Sequence, residues 1–487
     1  MKRLRWHEYI TYNMYWFALS MGSGSLTPII LPWLVQQFVD PGMKNTFYGA
    51  LRAAGLAVAI LVQPAAGLLS DRSRSRWGRR RPFIAIGALL TAFSVLGVGL
   101  ARSYWSLLGA VLLLQFVSNI AHGALQGLIP DLVPEDERGR ASAAKSLLDL
   151  APTVVVGLTI ARMVGQGQLP LAIGTLCAIY VVAMLITVAG VRETPLLEPP
   201  PGDVREPLLR TLGLLLGVGL GALVAALAAG IGGGLAGLVA WALAGEAQAW
   251  LAGVGAAGLV GMLGTIVAGV WAAVHLGAGD ARRHASFTWW VVNRLAFLAA
   301  VGSILAFALY FLQDVLHLPN PAEATGQLQA VAGIFTLVAA LGGGFLADRF
   351  DRRLLVALSG LVAAGGAFML LLAGNITLVL VAGCAIGVGT GIFFTTGWAL
   401  GTDLVPPEEA GRFLGISNVA GAGAGIVGAG LGGFLADHFN RASPGSGYVV
   451  IFAIYGLCFL LSSLVLLWVR QPAVSVVEAG RPVQSPP

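Results

Sequence analysis

The chain has 487 residues, of which 57% are hydrophobic and only 11% charged, whereas soluble domains carry about 25% charged residues. That balance excludes a soluble globular protein. The net charge of +6 does not mark a nucleic-acid binder either, because the basic residues sit in short connections between apolar runs.

Fourteen apolar runs, each of about 20 residues or more, read as membrane-crossing helices. They cover 9–35, 47–70, 83–101, 106–129, 139–165, 170–191, 211–242, 249–276, 286–316, 325–347, 354–374, 376–400, 411–436 and 448–469. The first follows the basic start MKRLRW. It is too long for a signal-peptide core of about 7–15 residues and has no small-residue cleavage site, so it is expected to be retained. Asn13, Trp16, Ser20 and Thr27 stand along it. The second span ends in SDRSRSRWGRRRPF, which places arginines at 72, 74, 76, 79, 80 and 81.

The fourth span carries Gln115, Asn119, His122 and Gln126, spaced 4, 3 and 4, on one helical face. Polar groups do not face lipid cheaply, so this face is expected to line a wet cavity or to pack between helices. After it, Pro134 and the acids 135–137 read as a helix start. The fifth span places Lys145 one turn before Asp149. At ~1.5 Å per residue, His122, Asp149 and Arg294 fall at similar depth in the membrane. A proline-rich linker, 195–210, leads to two spans of Gly, Ala, Leu and Val. There Gly213, Gly217 and Gly221 form a close-packing face. The span at 286–316 offers Trp290, Asn293, Arg294 and Phe297, and that at 376–400 offers Thr390, Phe394 and Trp398. The polar tail, 471–487, is expected to be disordered.

The distribution of Lys and Arg orients these spans. With the N-terminus in the cytoplasm, the inner segments hold Lys2, Arg3, Arg5, the six arginines, Arg138, Arg140, Arg192, Arg205, Arg210, Arg282, Arg283 and the cations of the later turns. The outer loops hold only Lys44, Arg102 and Arg441. This bias places both termini in the cytoplasm and requires an even number of crossings between Arg210 and Arg282.

The chain also repeats itself. DLVPEDERGR (131–140) matches DLVPPEEAGR (403–412) at seven of ten positions, and Asp71-Arg72 is echoed by Asp348-Arg349. GGFLAD occurs at 343–348 and again at 432–437, ending spans of opposite direction, as an inverted repeat would place it. Two six-span halves with an Asp-Arg…Gly-Arg-Arg turn resemble the major facilitator superfamily. The longer loop is similar to that of glycoside–pentoside–hexuronide and sucrose-type carriers. The resemblance implies an all-α membrane fold with six-helix bundles at 1–194 and 277–470 and a two-helix insert at 211–276.

It further implies that the first and fourth helices of each half line a substrate cavity, which would bring in Asn13, Trp16, Gln115, Asn119, His122, Gln126, Trp290, Asn293, Arg294 and Trp398. A cytoplasmic latch would use Asp71, Arg72, Arg76, Gly78, Arg79, Arg80, Asp131 and Arg140. Its twin would use Asp348, Arg349, Arg352, Arg353, Asp403 and Arg412. Asp351 stands where the pattern has glycine, so the second turn is expected to differ. Gln126 stands where sucrose-type carriers have arginine.

The function expected is secondary active transport by alternating access in the plasma membrane, without cofactor or metal. Amides and aromatic faces along a cavity suit a sugar or glycoside. The coupling candidates are His122, Lys145, Asp149 and Arg294. Asp149 is the simplest proton carrier, Lys145 beside it favours its charged form, and His122 is the alternative. No carboxylate cluster suggests sodium. A drug exporter is a second reading, but the fifth span lacks the G-P-x-x-G-G of many fourteen-helix exporters. A non-transporting sensor is a third. Neither a Walker loop nor an H-E-x-x-H motif is present, and Cys177, Cys384 and Cys458 have no metal spacing.

Overall fold

The computed structural model describes residues 4–193, 205–278, 284–347, 349–405 and 410–470. Asp348, most of the expected linker and the tail fall outside them, and the side chain of Arg412 is not described.

The described chain is helical from end to end. Helix α1 (Trp6–Ser25) passes through a π-helical turn (Leu26–Ile30) into α2 (Leu31–Phe38). There follow α3 (Lys44–Asp71), α4 (Arg81–Gly99), α5 (Tyr104–Gln126), α6 (Leu128–Leu132), α7 (Arg138–Leu158), α8 (Ile160–Gly165) and α9 (Leu169–Gly190). The insert is α10 (Arg205–Ala244) and α11 (Glu246–Ala278). The second half is α12 (Ala285–Asp314), α13 (Pro321–Ala347), α14 (Arg352–Leu371), α15 (Ile376–Asp403), α16 (Ala410–Ala442) and α17 (Ser446–Leu464). Among the described residues thirteen helical stretches are long and apolar enough to cross a membrane. Helix α16 occupies the remaining expected span.

Local chemistry fixes the helix starts. Ser103 caps α5 by accepting from Ser106 N at 3.2 Å, and Asn375 caps α15 by accepting from Leu378 N at 2.9 Å. Pro82 and Pro170 occupy first turns, where no amide hydrogen is needed. Asp351 does differ from its glycine pattern, and usefully: it caps α14 by accepting from Arg353 N at 2.7 Å. Gly78, by contrast, has φ +102°, which favours glycine, and a side chain there would strike Glu193. Helix α10 already begins at Arg205, so the expected linker gives up its last six residues to helix.

The two halves meet along α3 beside α16 and α7 beside α13. Helices α10 and α11 pack tightly on each other, and α11 lies against α16 and α12. Their contact face recurs every four residues, at Gly217, Gly221, Ala225, Ala229, Gly233 and Gly237. Gly221 meets Gly269, and Gly233 meets Gly253 and Ala257. Gly213 has nothing within 4 Å, so the face starts one turn later than expected and runs much further.

Candidate functional site

Midway along the first half, three helices bring together four side chains with chemistry. Trp16 lies on α1, His122 on α5, and Lys145 and Asp149 on α7. The Lys145 ammonium sits 3.8 Å from the centre of the Trp16 ring, and the His122 ring meets that indole edge-on at 5.0 Å. Asp149 accepts a short hydrogen bond from Ser20 Oγ and lies 3.8 Å from Lys145 Nζ. The side chains of Lys145 and Asp149 remain 31% and 39% exposed although they face α1.

The second half supplies a matching pair. Arg294 of α12 stands over the Trp398 ring of α15 at 5.0 Å. Among the described residues no carboxylate pairs with Arg294, and its Nε is buried without a partner. Trp398, Phe394 and Thr390 follow one another at four-residue steps, as do Lys145, Asp149 and Thr153 on α7. Both rows lead to one cavity of about 160 Å³, whose wall includes Leu150, Thr153, Thr390 and Phe394.

The other expected cavity residues bond between helices, within their own helix, or lie at a helix end. Asn13 is buried and donates to Tyr9 O at 2.9 Å and Ala141 O at 3.3 Å, tying α1 to α7. Trp290 Nε1 donates to Gly397 O at 2.9 Å, and Asn293 Nδ2 donates to Ser462 O at 2.8 Å. Both are closed off between helices. Asn119 turns back on its own helix, donating to Gln115 O at 2.8 Å, while Gln115 packs against Gly55 of α3. Gln126 is exposed at the helix end. Of the α5 stripe, therefore, His122 alone joins the cluster. Helical periodicity gave the right face of α5, but such a face serves neighbouring helices as well as water.

The two ends of the bundle differ. At the arginine-rich end, the polar contacts among the described residues stay within each half. Arg80 pairs with Asp71 and donates to Asp131 at 2.9 Å and Ser70 at 2.8 Å, while Arg79 reaches Asp131 at 2.5 Å. The second half repeats the joint: Arg352 donates to Asp403 at 2.8 Å across the same 51-residue separation. Arg353 donates to Val469 O at 2.9 Å. Arg76, Arg140 and Arg349 are exposed, and Arg72 has no ion pair among the described residues. Thus, of the expected latch residues, Asp71, Arg79, Arg80 and Asp131 form one cluster and Arg352 and Asp403 a second, separate one, while Asp348 and the Arg412 side chain lie outside the described residues.

At the opposite end the halves are bonded to each other. Lys44 Nζ donates to Asp314 at 2.7 Å, and Tyr448 OH donates to the same carboxylate at 2.5 Å. Tyr310 OH donates to Pro32 O at 2.8 Å. Asp437 of α16 is 3% exposed and accepts from Asn45 Nδ2 at 2.8 Å, Asn45 N at 3.3 Å and Thr46 N at 2.6 Å. Those two amides belong to the first turn of α3, so one half caps a helix of the other. Sequence reasoning missed Lys44, Asn45, Asp314 and Asp437 as a site, although Asp437 closes the second GGFLAD.

Replacing Asp437 with alanine removes a cap and a buried charge. We expect a shift of about 1–2 kcal/mol, or five- to thirtyfold, away from this closed arrangement. Spin labels at Met43 and Ser443, measured by double electron–electron resonance, should report a new longer distance. An unchanged distribution would show that the cap does not hold the ends together.

Two like helical halves, bonded at one end and carrying a charged and aromatic centre, make a membrane protein of duplicated helical bundles. The sequence profile of the Major Facilitator Superfamily matches residues 16–317 and 295–486, and the chain belongs to that family. It is 29% identical over 153 residues to the general alpha-glucoside permease of Schizosaccharomyces pombe, covering 27% of each chain. It is 29% identical over 124 residues to a sucrose transport protein of Arabidopsis thaliana, covering 21% of each. The matches thus span about a quarter of the length of these relatives. Among solved structures, a nucleoside transporter superposes with a TM-score of 0.63 at 12% identity, over 94% of this chain and 99% of that one. A peptide transporter gives 0.65 at 13% identity, over 95% and 93%. At such identities the likeness is one of fold.

Proposed function

We propose that the protein is a secondary active transporter of the plasma membrane that carries a sugar or glycoside together with a proton. The observation that carries this reading is the mid-membrane cluster of Trp16, His122, Lys145 and Asp149, with Arg294 and Trp398 in the other half. Indole faces cover the C–H side of a sugar ring, while the ammonium, guanidinium and carboxylate bond its hydroxyls. An ionisable group at this depth is costly unless it works.

The excess of arginine at one end supports cytoplasmic termini. In that orientation the halves are sealed on the outer side, and the binding groups are reached from the cytoplasm. The cycle alternates two sets of bonds. The outer set is Lys44–Asp314 and the Asp437 cap. The inner set draws on Asp71, Arg72, Arg76, Gly78, Arg79, Arg80, Asp131 and Arg140, with Asp348, Arg349, Arg352, Arg353, Asp403 and Arg412. The exposed Arg352–Asp403 pair contributes only about 0–1 kcal/mol, which suits a latch that must open every cycle. Asp149 takes the proton. Once neutral, it loosens its hold on Lys145, which already rests on the Trp16 face where substrate would lie.

Purified protein in proteoliposomes, given a labelled panel of α-glucosides, disaccharides and hexoses under an imposed pH gradient, tests the reading. We expect at least one sugar to accumulate and a protonophore to abolish accumulation. A panel in which nothing is carried would defeat it.

A further inference from the structure

Arg52, Lys145, Arg162 and Arg294 all lie inside the expected spans, and their partners differ. Arg162, near the outer end, lies 3.6 Å from Glu323. Lys145 rests on the Trp16 ring and lies 3.8 Å from Asp149. Arg52 of α3 donates to Gly302 O of α12 at 3.3 Å, from one half to the other. Arg294 has only the face of Trp398, at 5.0 Å. Among the described residues no oxygen accepts from its guanidinium, and Nε is enclosed without a partner. The two terminal nitrogens are not enclosed in that way, so the end of the guanidinium stays open.

The packing of α12 shows what that open end meets. Between Trp290 and Leu312, the residues left partly exposed are Arg294, Leu298, Val301, Gly302 and Leu305. They fall on one helical stripe, and Val301 and Leu305 line the cavity of about 160 Å³ between the halves. Arg294 stands at the inner end of the stripe. Arg52 arrives at Gly302, about two turns further out. One side of α12 thus carries two guanidinium groups, neither with a carboxylate among the described residues. At mid-depth Arg52, Lys145 and Arg294 are set against a single acid, Asp149. A cation in low dielectric without an opposite charge is costly, and a cleft lined by one sign of charge concentrates ions of the other.

We infer that Arg294 holds a halide ion, chloride in ordinary salt, at the open end of its guanidinium beside Trp398. The wall decides the kind of anion. A carboxylate or phosphate brings several lone pairs that need donors. The cavity threonines of the second half do not supply them: Thr336 donates to Ala332 O at 2.8 Å and Thr390 to Ile386 O at 2.7 Å. Ile304, Leu328 and Phe394 add only apolar surface. A monovalent sphere needs no more than the guanidinium N–H groups and an apolar enclosure, and it cancels part of the surplus charge. That balance is needed whichever solute is carried.

The test is chloride nuclear magnetic resonance: line broadening by the detergent-solubilised full chain, titrated with sodium chloride. The wild type should broaden the line saturably, and bromide should reverse the effect. Arg294→Gln should bind roughly tenfold more weakly or worse, the scale of a hydrogen bond to a charged group. Arg294→Lys keeps the charge and should keep saturable binding. Melting temperature is a second readout. Replacing isethionate by chloride at equal ionic strength should raise it for the wild type and leave Arg294→Gln unmoved. In isethionate that variant should melt no lower than the wild type, because an uncompensated cation has been removed. Should it fail to fold, Arg294→Met gives the same comparison. No saturable broadening by the wild type, or undiminished broadening by the variant, overturns the ion site. Acetate that binds where chloride does not would assign the guanidinium to a carboxylate and overturn it as well. Chloride binding by a protein that accumulates no sugar leaves the ion site standing and defeats the transport reading alone.

Discussion

Replacing Asp149 with asparagine is expected to abolish uphill sugar accumulation while sparing exchange. Asparagine keeps an oxygen for the Ser20 hydroxyl, so the α1–α7 contact survives. It removes the charge that lies 3.8 Å from Lys145 and the oxygen that would take the proton. The variant is therefore fixed in the equivalent of the protonated state. One proton per sugar, driven by a gradient of about two pH units, sustains roughly hundredfold accumulation, since each unit is worth 1.36 kcal/mol. The variant should bring that ratio close to one, while counterflow of labelled against unlabelled sugar continues. His122→Gln is the comparison, because the imidazole contacts Trp16 rather than the carboxylate. Loss of accumulation in His122→Gln, with accumulation retained in Asp149→Asn, would move the proton site to the imidazole.

The second large effect is expected from Gly157→Val. A side chain at Gly157 of α7 would press into the carbonyl of Gly326 on α13 and lie 2.9 Å from Ala330 Cβ. Gly326 in turn faces Ala161 and Gly157. These contacts join the two halves rather than hold either half together, so each half should still fold. Overpacking costs about 1–3 kcal/mol. Here that cost falls on the closed arrangement alone, displacing the equilibrium some 5–150-fold and slowing transport accordingly. Gly174→Val is the control, because Gly174 has nothing within 4 Å. Transport by Gly157→Val at the rate of that control would show that the crossing is not obligatory.

The spans and the duplication were legible because both are periodic: helices repeat every 3.6 residues, and the halves repeat one motif. The duplicated turn even predicts matching ion pairs, Arg80–Asp131 and Arg352–Asp403, at an offset of 272 residues. His122, Lys145, Asp149 and Arg294 came from asking which ionisable groups lipid would not tolerate, and Trp16 and Trp398 from the family resemblance. Asn13, Trp290 and Asn293 bond to neighbouring helices, because a helix carbonyl satisfies an amide or indole N–H as well as a ligand does. The Asn45–Asp437 joint was out of reach for another reason. Its partners are 392 residues apart, and charges beside a loop read first as topology.

The crossings of Gly49 on Ala429, Gly157 on Gly326 and Gly433 on Asn45 bring main chain against main chain. A water molecule needs a void of at least about 10–15 Å³, and backbone packed on backbone leaves none. Packing that close leaves no room at those joints for a file of waters along which a hydrogen ion could hop. In an energised membrane, the missing side chains would keep an idle molecule from short-circuiting the potential that drives it.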